Sequence, residues 1–593
     1  MHAPGSNWHD AATKPMNEAY RRLKNNQPER AAPVAGAFAS DPRALRAWVD
    51  ALPMANFAIA AQRLRDGLRA LNQQHLDGVR RLEALEIMRP AVTQLAAGTD
   101  KQIIGASFPL PPHKIELGAL ALAFQHELAL GYRRALVELC APGGNVPFLR
   151  GKQVVLAAVR ALQHGDELLA KAYLLYRTAP AGAWQGLHDA YGFIASLRLD
   201  DRAIDEAQAQ SLNAREAYVR ALLFALANPY RCTQREQAEV IALTRNLAPH
   251  CELRQGMGAA NDILIHADAD RGPGYLPEER VTGQRDVLAL HLDTMFAFID
   301  TQLMGTPAHS RTTAFRQRGG TSLQVDVGLA RRLLGTWNAH GERAHARLGG
   351  GYMLDTVLGL QDLHFVLAGG TDFESFMRRV SGQMISLSEG DRGAAWRLGA
   401  GDSARATRLP ARVLDQSLGG YRIVWERGAA GGQVHARVGE LVGLALPETN
   451  ADARPDWMAG VIRWIRIDDQ GRVDAGVELL ARRVLPVGAR ALGGAQQRAA
   501  VRGLLLAPLA TNGNDDYHSL VVSTEIERAA SDIELTVPAD LLGPPRPART
   551  EAVTGLRVIE ATGIYQHFAL PERADAMAAI APSARAIEIP LGV

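Results

Sequence analysis

The sequence is short of several things, and each shortage narrows the function. It has three cysteines in 593 residues, Cys140, Cys232 and Cys251, widely spaced and with no Cys-x-x-Cys pair. That excludes a disulfide framework and a zinc ribbon, and it suits a reducing cytoplasm. There is no excess of one charge: 65 basic and 63 acidic side chains leave a net +2. A protein that coats DNA or RNA needs a basic surplus to neutralise phosphates, so neither nucleic acid is expected as a partner. No apolar run approaches the roughly 18 residues of a spanning helix. The stretch 352–367 comes nearest and is broken by Asp355, Gln361, Asp362 and His364. The N-terminus lacks a basic segment leading into an apolar one, so no signal peptide is expected and the protein is placed in the cytoplasm. Signatures of common catalysis are missing too. No G-x-x-x-x-G-K-[ST], H-E-x-x-H or G-x-S-x-G occurs, and Gly256-Met-Gly258 lacks the rest of a dinucleotide fingerprint.

What is present is ordinary globular material, 47% hydrophobic and 22% charged, enough for three or four domains at about 150 residues each. Residues 1–40 are polar, lack periodicity and are expected to be disordered. From 41 to 250 the pattern is helical. Ser40-Asp41-Pro42 opens one helix with a capping side chain and a first-turn proline. Amphipathic stretches cover 114–141 and 152–177. Asn213 with Glu216 forms a capping-box signal, and Asn228-Pro229 closes the helix opened there. The segment 251–385 is mixed and mainly helical, with helical patterns over 285–303, 323–337 and much of 351–367, and a short strand over 262–265. Beyond about 385, short β-branched runs alternate with Gly, Asp and Pro turns. Strands are expected over 413–414, 421–426, 440–446, 460–467 and 476–480, and again over 503–506, 519–523, 533–537, 556–560 and 563–570. The fold class is therefore α+β multidomain: a large, mainly α-helical N-terminal region followed by two small antiparallel β-barrels, over 386–490 and 495–593.

One segment carries most of the functional information: Arg408-Leu-Pro-Ala-Arg412-Val-Leu-Asp415-Gln-Ser417-Leu-Gly-Gly420. Asp-x-Ser-x-x-Gly is also a common turn composition, with Asx-type bonds opening a hairpin. Here it directly precedes a strand, and Gly460-Val-Ile-Arg-Trp464 and Asp474-Ala-Gly-Val-Glu478 stand further on as two more strands. Together these resemble the PilZ domain, whose barrel carries a D/N-x-S-x-x-G signature. The resemblance covers roughly 388–490. It implies a cyclic di-GMP receptor that is not an enzyme and that relays the ligand to an unidentified protein partner. The chemistry fits. Arginine forks take the O6 and N7 acceptors of guanine. Asp415 can accept guanine N–H groups, Ser417 supplies a compact hydroxyl, and Gly420 permits close approach.

PilZ receptors also carry R-x-x-x-R in a loop some twenty residues before that signature. In that window stand Arg392 and Arg397, one residue too far apart, while Arg408 and Arg412 have the spacing but sit beside the signature. Two readings stay open. Arg392 and Arg397 clamp the dinucleotide with Asp415, Ser417 and Gly420; or the barrel is degenerate and serves as a scaffold that binds no nucleotide. A third reading, from another class, is a metal-dependent enzyme in the helical region, with His266, Asp268 and Asp270 on one face of an extended segment. His250, Cys251 and Cys232 have no further ligand at usable spacing, which suits a buried thiol. No metal site is assigned on this basis.

Overall fold

The structure is a computed structural model that describes residues 16–30, 40–205, 211–256, 262–274, 287–307, 310–316, 322–338, 346–381, 406–426, 434–447, 455–492, 499–509, 518–526, 532–538 and 548–571. The chain forms two compact units, one of residues 1–106 and 110–342, the other of 107–109 and 343–593.

The first unit is built on helices α1 (Glu18–Asn25), α2 (Pro42–Asp50), α3 (Phe57–Gln73), α4 (Gly78–Ile103), α5 (Pro112–Leu139), α6 (Gly151–Leu174), α7 (Ala183–Ser196), α8 (Ala214–Leu226) and α9 (Gln234–Leu247). Their ends obey local chemistry. The side chains of Asp41, Asn56, Asp77 and Asn213 accept first-turn N–H groups, and Thr233 with Glu236 closes a full capping box on α9. One continuous core runs through them, with Phe124, Tyr132, Val159, Tyr218 and Phe224 fully enclosed.

Two expectations change here. The segment taken as disordered contains α1, capped by Asn17. Its Tyr20 and Leu23 are about 1% exposed, the Tyr20 hydroxyl donates to the Val137 carbonyl at 3.1 Å, and Asn26 donates to Asp189 at 2.8 Å. Eight residues show too little of a period to stand out in a polar sequence; long-range packing makes this helix. Residues 1–15 and 31–39 lie outside the described residues. The second change concerns 204–342, which carries more strand than expected. Two short strands, β1 (Ile204–Asp205) and β2 (Ser211–Leu212), form a ribbon, and β3 (Glu252–Gln255), β4 (Ile263–His266) and β5 (Val287–His291) form a sheet in the order β3-β5-β4. Strands β6 (Thr312–Arg316) and β7 (Ser322–Asp326) form a hairpin. Helix α10 (Asp293–Met304) starts just after β5, and α11 (Val327–Trp337) directly after β7. Short apolar runs feeding straight into helices have no period of their own, so each strand merges with its helix when read from sequence alone.

The second unit holds the two β systems. It begins with β8 (Leu348–Gly349) and β9 (Met353–Leu358), then α12 (Gly359–Leu367) and α13 (Phe373–Ser381). Next come strands β10 (Leu409–Ser417), β11 (Gly420–Trp425), β12 (Leu441–Ala445), β13 (Met458–Ile467) and β14 (Val473–Ala481). Pairing runs β9-β10-β11-β14-β13-β12 and returns to β9, a closed six-stranded antiparallel barrel. Its first strand lies where a helix over 351–367 was expected. Thr356, Val357 and Leu358 turn abruptly into α12 at Gly359, and the two elements together mimic one helical pattern. Inside, the buried Trp425 indole donates to Thr356 Oγ1 at 2.9 Å, and that hydroxyl donates to the Leu409 carbonyl at 2.7 Å, joining three strands.

Strands β15 (Val484–Ala491), β16 (Val501–Leu506), β17 (Ser519–Ser523), β18 (Asp532–Val537), β19 (Arg549–Thr554), β20 (Arg557–Ala561) and β21 (Tyr565–Ala569) form an open sheet ordered β19-β18-β15-β16-β17-β21-β20. The second barrel is thus a half-barrel, and its first strand, β15, already starts within the 386–490 segment. The two systems share a core. Val357, Leu441 and Val461 of the barrel pack with Leu504, Leu506, Val521 and Tyr565 of the sheet. That is why β12 is buried along its whole length and reads as a continuous apolar run. Helices α12 and α13, inserted between β9 and β10, pack on the sheet. No helix among the described residues is long and apolar enough to cross a membrane.

The docking of α1 yields a direct test. Leu23→Ala is expected to cost about 2–4 kcal/mol of local stability, read as faster amide hydrogen exchange over 18–26. Unprotected exchange there in the unaltered protein would contradict the packed helix.

Candidate functional site

The Asp-x-Ser-x-x-Gly segment forms the β10–β11 hairpin. Ser417 pairs with Gly420 across a two-residue turn, and the Ser417 hydroxyl donates to the Gly420 carbonyl at 3.4 Å. Gly420 is required by contact: a Cβ there would stand 2.0 Å from the Val477 carbonyl oxygen of β14. A β-bulge between Val413 and Asp415 interrupts the alternation of β10.

The chain arriving from the unit's N-terminal end lies on that bulge. Gly350 and Gly351 donate their N–H groups to the carbonyls of Leu414 and Val413 at 3.0 and 2.8 Å, and β8 pairs Gly349 with Asp415 and Leu348 with Gln416. The Tyr352 hydroxyl donates to Gln416 Oε1 at 2.5 Å. This close approach brings Arg347 onto Asp415, with Nη1 3.1 Å from Oδ1 and 3.2 Å from Oδ2.

Arg347 stands 68 residues before Asp415 and is the second arginine of Arg343-Ala-His-Ala-Arg347, which has the R-x-x-x-R spacing. The window about twenty residues ahead of Asp415 missed it because α12, α13 and the chain leading from them to β10 are inserted after the first barrel strand. The usable signal was position relative to the first strand: Arg343 and Arg347 stand just before β8 and β9. Arg343 itself, like Arg392 and Arg397, lies outside the described residues.

From Asp415 a row of in-register residues crosses the barrel's outer face. Gly349 pairs with Asp415, Asp415 with Arg422, Arg422 with Gly476, and Gly476 with Trp464. The indole of Trp464 takes the space that a side chain at Gly476 would fill; a Cβ there would be 1.9 Å from its Nε1. Arg422 and Arg466 each place a guanidinium 5.9 Å from the Trp464 ring. Arg422 also forms a two-bond fork with Asp474, 3.0 and 2.6 Å, and lies 3.8 Å from Asp415. The Asp474 carboxylate raises the Arg422 pKa above its ordinary value. The row thus offers a carboxylate acceptor, an aromatic plane and several guanidinium forks on one solvent-facing surface. These groups suit a flat base bearing N–H donors and attached to phosphate.

The expected residues are distributed unevenly. Asp415, Ser417 and Gly420 are together. Arg412 is exposed on β10, 3.9 Å from Glu426. Arg408 precedes Asp415 by seven residues, about 23 Å along a strand, and stacks 5.6 Å from the Trp457 ring. Trp464 and Asp474 belong to the two strands that carry the PilZ resemblance but were given no part in the site, and Arg422 stands two residues beyond the signature; pairing register alone reveals them.

Elsewhere, the His266, Asp268, Asp270 arrangement loses a ligand to structure. Asp270 accepts the N–H groups of Gly182 and Gln185 at 2.6 and 3.0 Å, capping α7, and His266 is buried. Among the described residues no three His, Cys, Asp or Glu side chains are grouped to hold a metal. All three cysteines are buried free thiols, their pKa pushed up to about 12 by burial.

The chain is similar to known proteins over most of its length. Residues 43–258 match the family model described as the cyclic-di-GMP receptor FimW, N-terminal domain. Residues 263–408 and 400–486 match that of the cyclic-di-GMP receptor FimW, middle PilZ domain. The match to the PilZ model therefore begins far upstream of 388 and includes β8 and β9. The cyclic-di-GMP receptor FimW of Pseudomonas aeruginosa strain PAO1 is 25% identical over 523 residues, which cover 79% of this chain and 82% of that protein. No solved structure matches the chain.

The two hairpin-face glycines should respond differently to a methyl group. Gly420→Ala is expected to cost about 2–4 kcal/mol by forcing β11 from β14. Gly349→Ala, with nothing within 4 Å of the new Cβ, should lie within about 0.5 kcal/mol of the parent. Thermal melting of both variants measures the difference, and equal melting points would contradict the pairing.

Proposed function

We propose that this chain, which belongs to the PilZ-domain family, binds cyclic di-GMP on the outer face of its six-stranded barrel and relays that binding, without catalysis, to a protein partner through its helical unit. The observation that carries the reading is the contact of Arg347 with Asp415. It brings Arg347, the second arginine of an R-x-x-x-R sequence, beside the Asp415 of Asp-x-Ser-x-x-Gly although 68 residues separate them. The reading is supported further by the likeness to a protein named as a cyclic-di-GMP receptor, whose match extends over both the helical region and the barrel.

In the proposed complex Arg343 and Arg347 meet a phosphate and the guanine O6/N7 edge, because guanidinium forks bind both bidentately. Asp415 accepts guanine N–H groups, Ser417 adds a hydroxyl, and Gly420 keeps the hairpin flat. Arg347 must exchange Asp415 for the ligand, while the backbone bonds of Gly350 and Gly351 to β10 keep its chain in place. Relay to a partner requires that the ligand bind two arrangements of the protein unequally; affinity alone shifts nothing. Free thiols accord with the cytoplasmic setting that this reading supposes.

Calorimetric titration of the full chain with cyclic di-GMP tests the proposal. Saturable heat at micromolar ligand is expected, reduced at least tenfold in affinity by Asp415→Ala and weakened by added salt, since the charged contacts are exposed. A folded protein that gives no heat would overturn it and leave the scaffold reading.

A further inference from the structure

We infer that Arg422, clamped by Asp474, is a positioning residue that keeps Asp415 aligned once Arg347 has left it for the ligand; the inference rests on the reading of this face as a cyclic di-GMP site. Arg422 stands in the middle of the in-register row and touches both sides of it. Its guanidinium is 3.8 Å from Asp415, 5.9 Å from the Trp464 ring and doubly bonded to Asp474. Strand geometry explains the placement. Arg422 pairs with Gly476, so Asp474, two residues along β14, lies diagonally on the same face, within reach of a long side chain.

A solvent-facing ion pair contributes little to stability by itself, so stability does not account for this arrangement. Its consequence is for which arginine moves. Asp415 is shared by two cations in the free protein. Among the described residues Arg347 meets Asp415 through Nη1 alone, whereas Arg422 is held by a two-point fork that fixes its plane. An anionic ligand therefore draws Arg347 away and leaves Arg422 in place. With Arg422 still beside it, Asp415 keeps its place in the row and accepts the guanine N–H groups. Without Asp474, Arg422 is released to close on Asp415 and compete with the guanine N–H groups. The effect should be strongest for guanine, because adenine offers no matching pair of donors on that edge.

The test titrates the full-length protein and its variants Asp474→Asn, Arg422→Gln, Arg422→Lys and the double variant Asp474→Asn/Arg422→Gln with cyclic di-GMP and with cyclic di-AMP, monitoring melting temperature alongside. Asp474→Asn and Arg422→Gln should each weaken cyclic di-GMP by about tenfold and narrow the preference over cyclic di-AMP. The double variant should bind no worse than Arg422→Gln alone, because Asp474 acts through Arg422. Arg422→Lys should recover part of the loss, as a charge without a fork. If Asp474→Asn melts early, the Arg422→Lys comparison carries the test. Parent-like affinity and selectivity in these variants, or additive losses in the double variant, would overturn the inference while leaving the receptor reading intact. Absence of binding by the parent protein would overturn both.

Discussion

The site depends on one close approach, the pairing of residues 348–351 with the bulged end of β10. Strand β10 pairs with β11 along one edge and with β9 and then β8 along the other. The bulge between Val413 and Asp415 interrupts the β10–β11 ladder. Gly350 and Gly351 donate to the carbonyls of Leu414 and Val413, and β8 takes up pairing with the end of β10. Because these backbone bonds fix the chain, the Arg347 guanidinium arrives beside Asp415 without relying on the ion pair to hold it there. Such an exposed pair would be a weak anchor.

From this point the outer face of the barrel is organised by register. Asp415, Arg422, Gly476 and Trp464 are far apart in sequence and adjacent in the sheet, each the cross-strand partner of the next. The missing side chain at Gly476 lets the indole lie inward toward Arg422. The same strands bind the barrel to the half-barrel. Arg463, next to Trp464, donates to Glu478 at 2.6 Å and to both oxygens of Glu560 on β20, at 2.7 and 3.1 Å, and the Tyr565 hydroxyl donates to Glu560 at 2.8 Å. Glu478 is the register partner of Gly420. The candidate site and the second sheet are thus joined by a continuous chain of hydrogen-bonded groups as well as by a shared apolar core.

The parts legible in the sequence were those with local signals. Capping residues marked α2 and α8, β-branched runs marked β11, β13, β17 and β18, and Asp415, Ser417 and Gly420 formed a recognisable hairpin signature. The parts that were not legible depend on contacts between distant segments. Helix α1 is held by Tyr20 and Leu23 packing, which leaves no period in eight residues. Strand β9 is hidden because α12 begins directly after it. The barrel edge at 386 was misplaced because a helical insertion separates the first strand from the second, and a distance counted back from Asp415 falls inside that insertion. Counted from the first barrel strand, the spacing leads to Arg343 and Arg347.

In the proposed complex Arg347, rather than the arginines nearer in sequence to the signature, is the arm that meets the ligand. The direct measurement is cyclic di-GMP affinity of full-length Arg347→Ala beside that of the double variant Arg392→Ala/Arg397→Ala. Loss of binding in the first with parent-like binding in the second is the predicted result. Retained affinity in Arg347→Ala with loss in the double variant would contradict it and move the arm to the insertion.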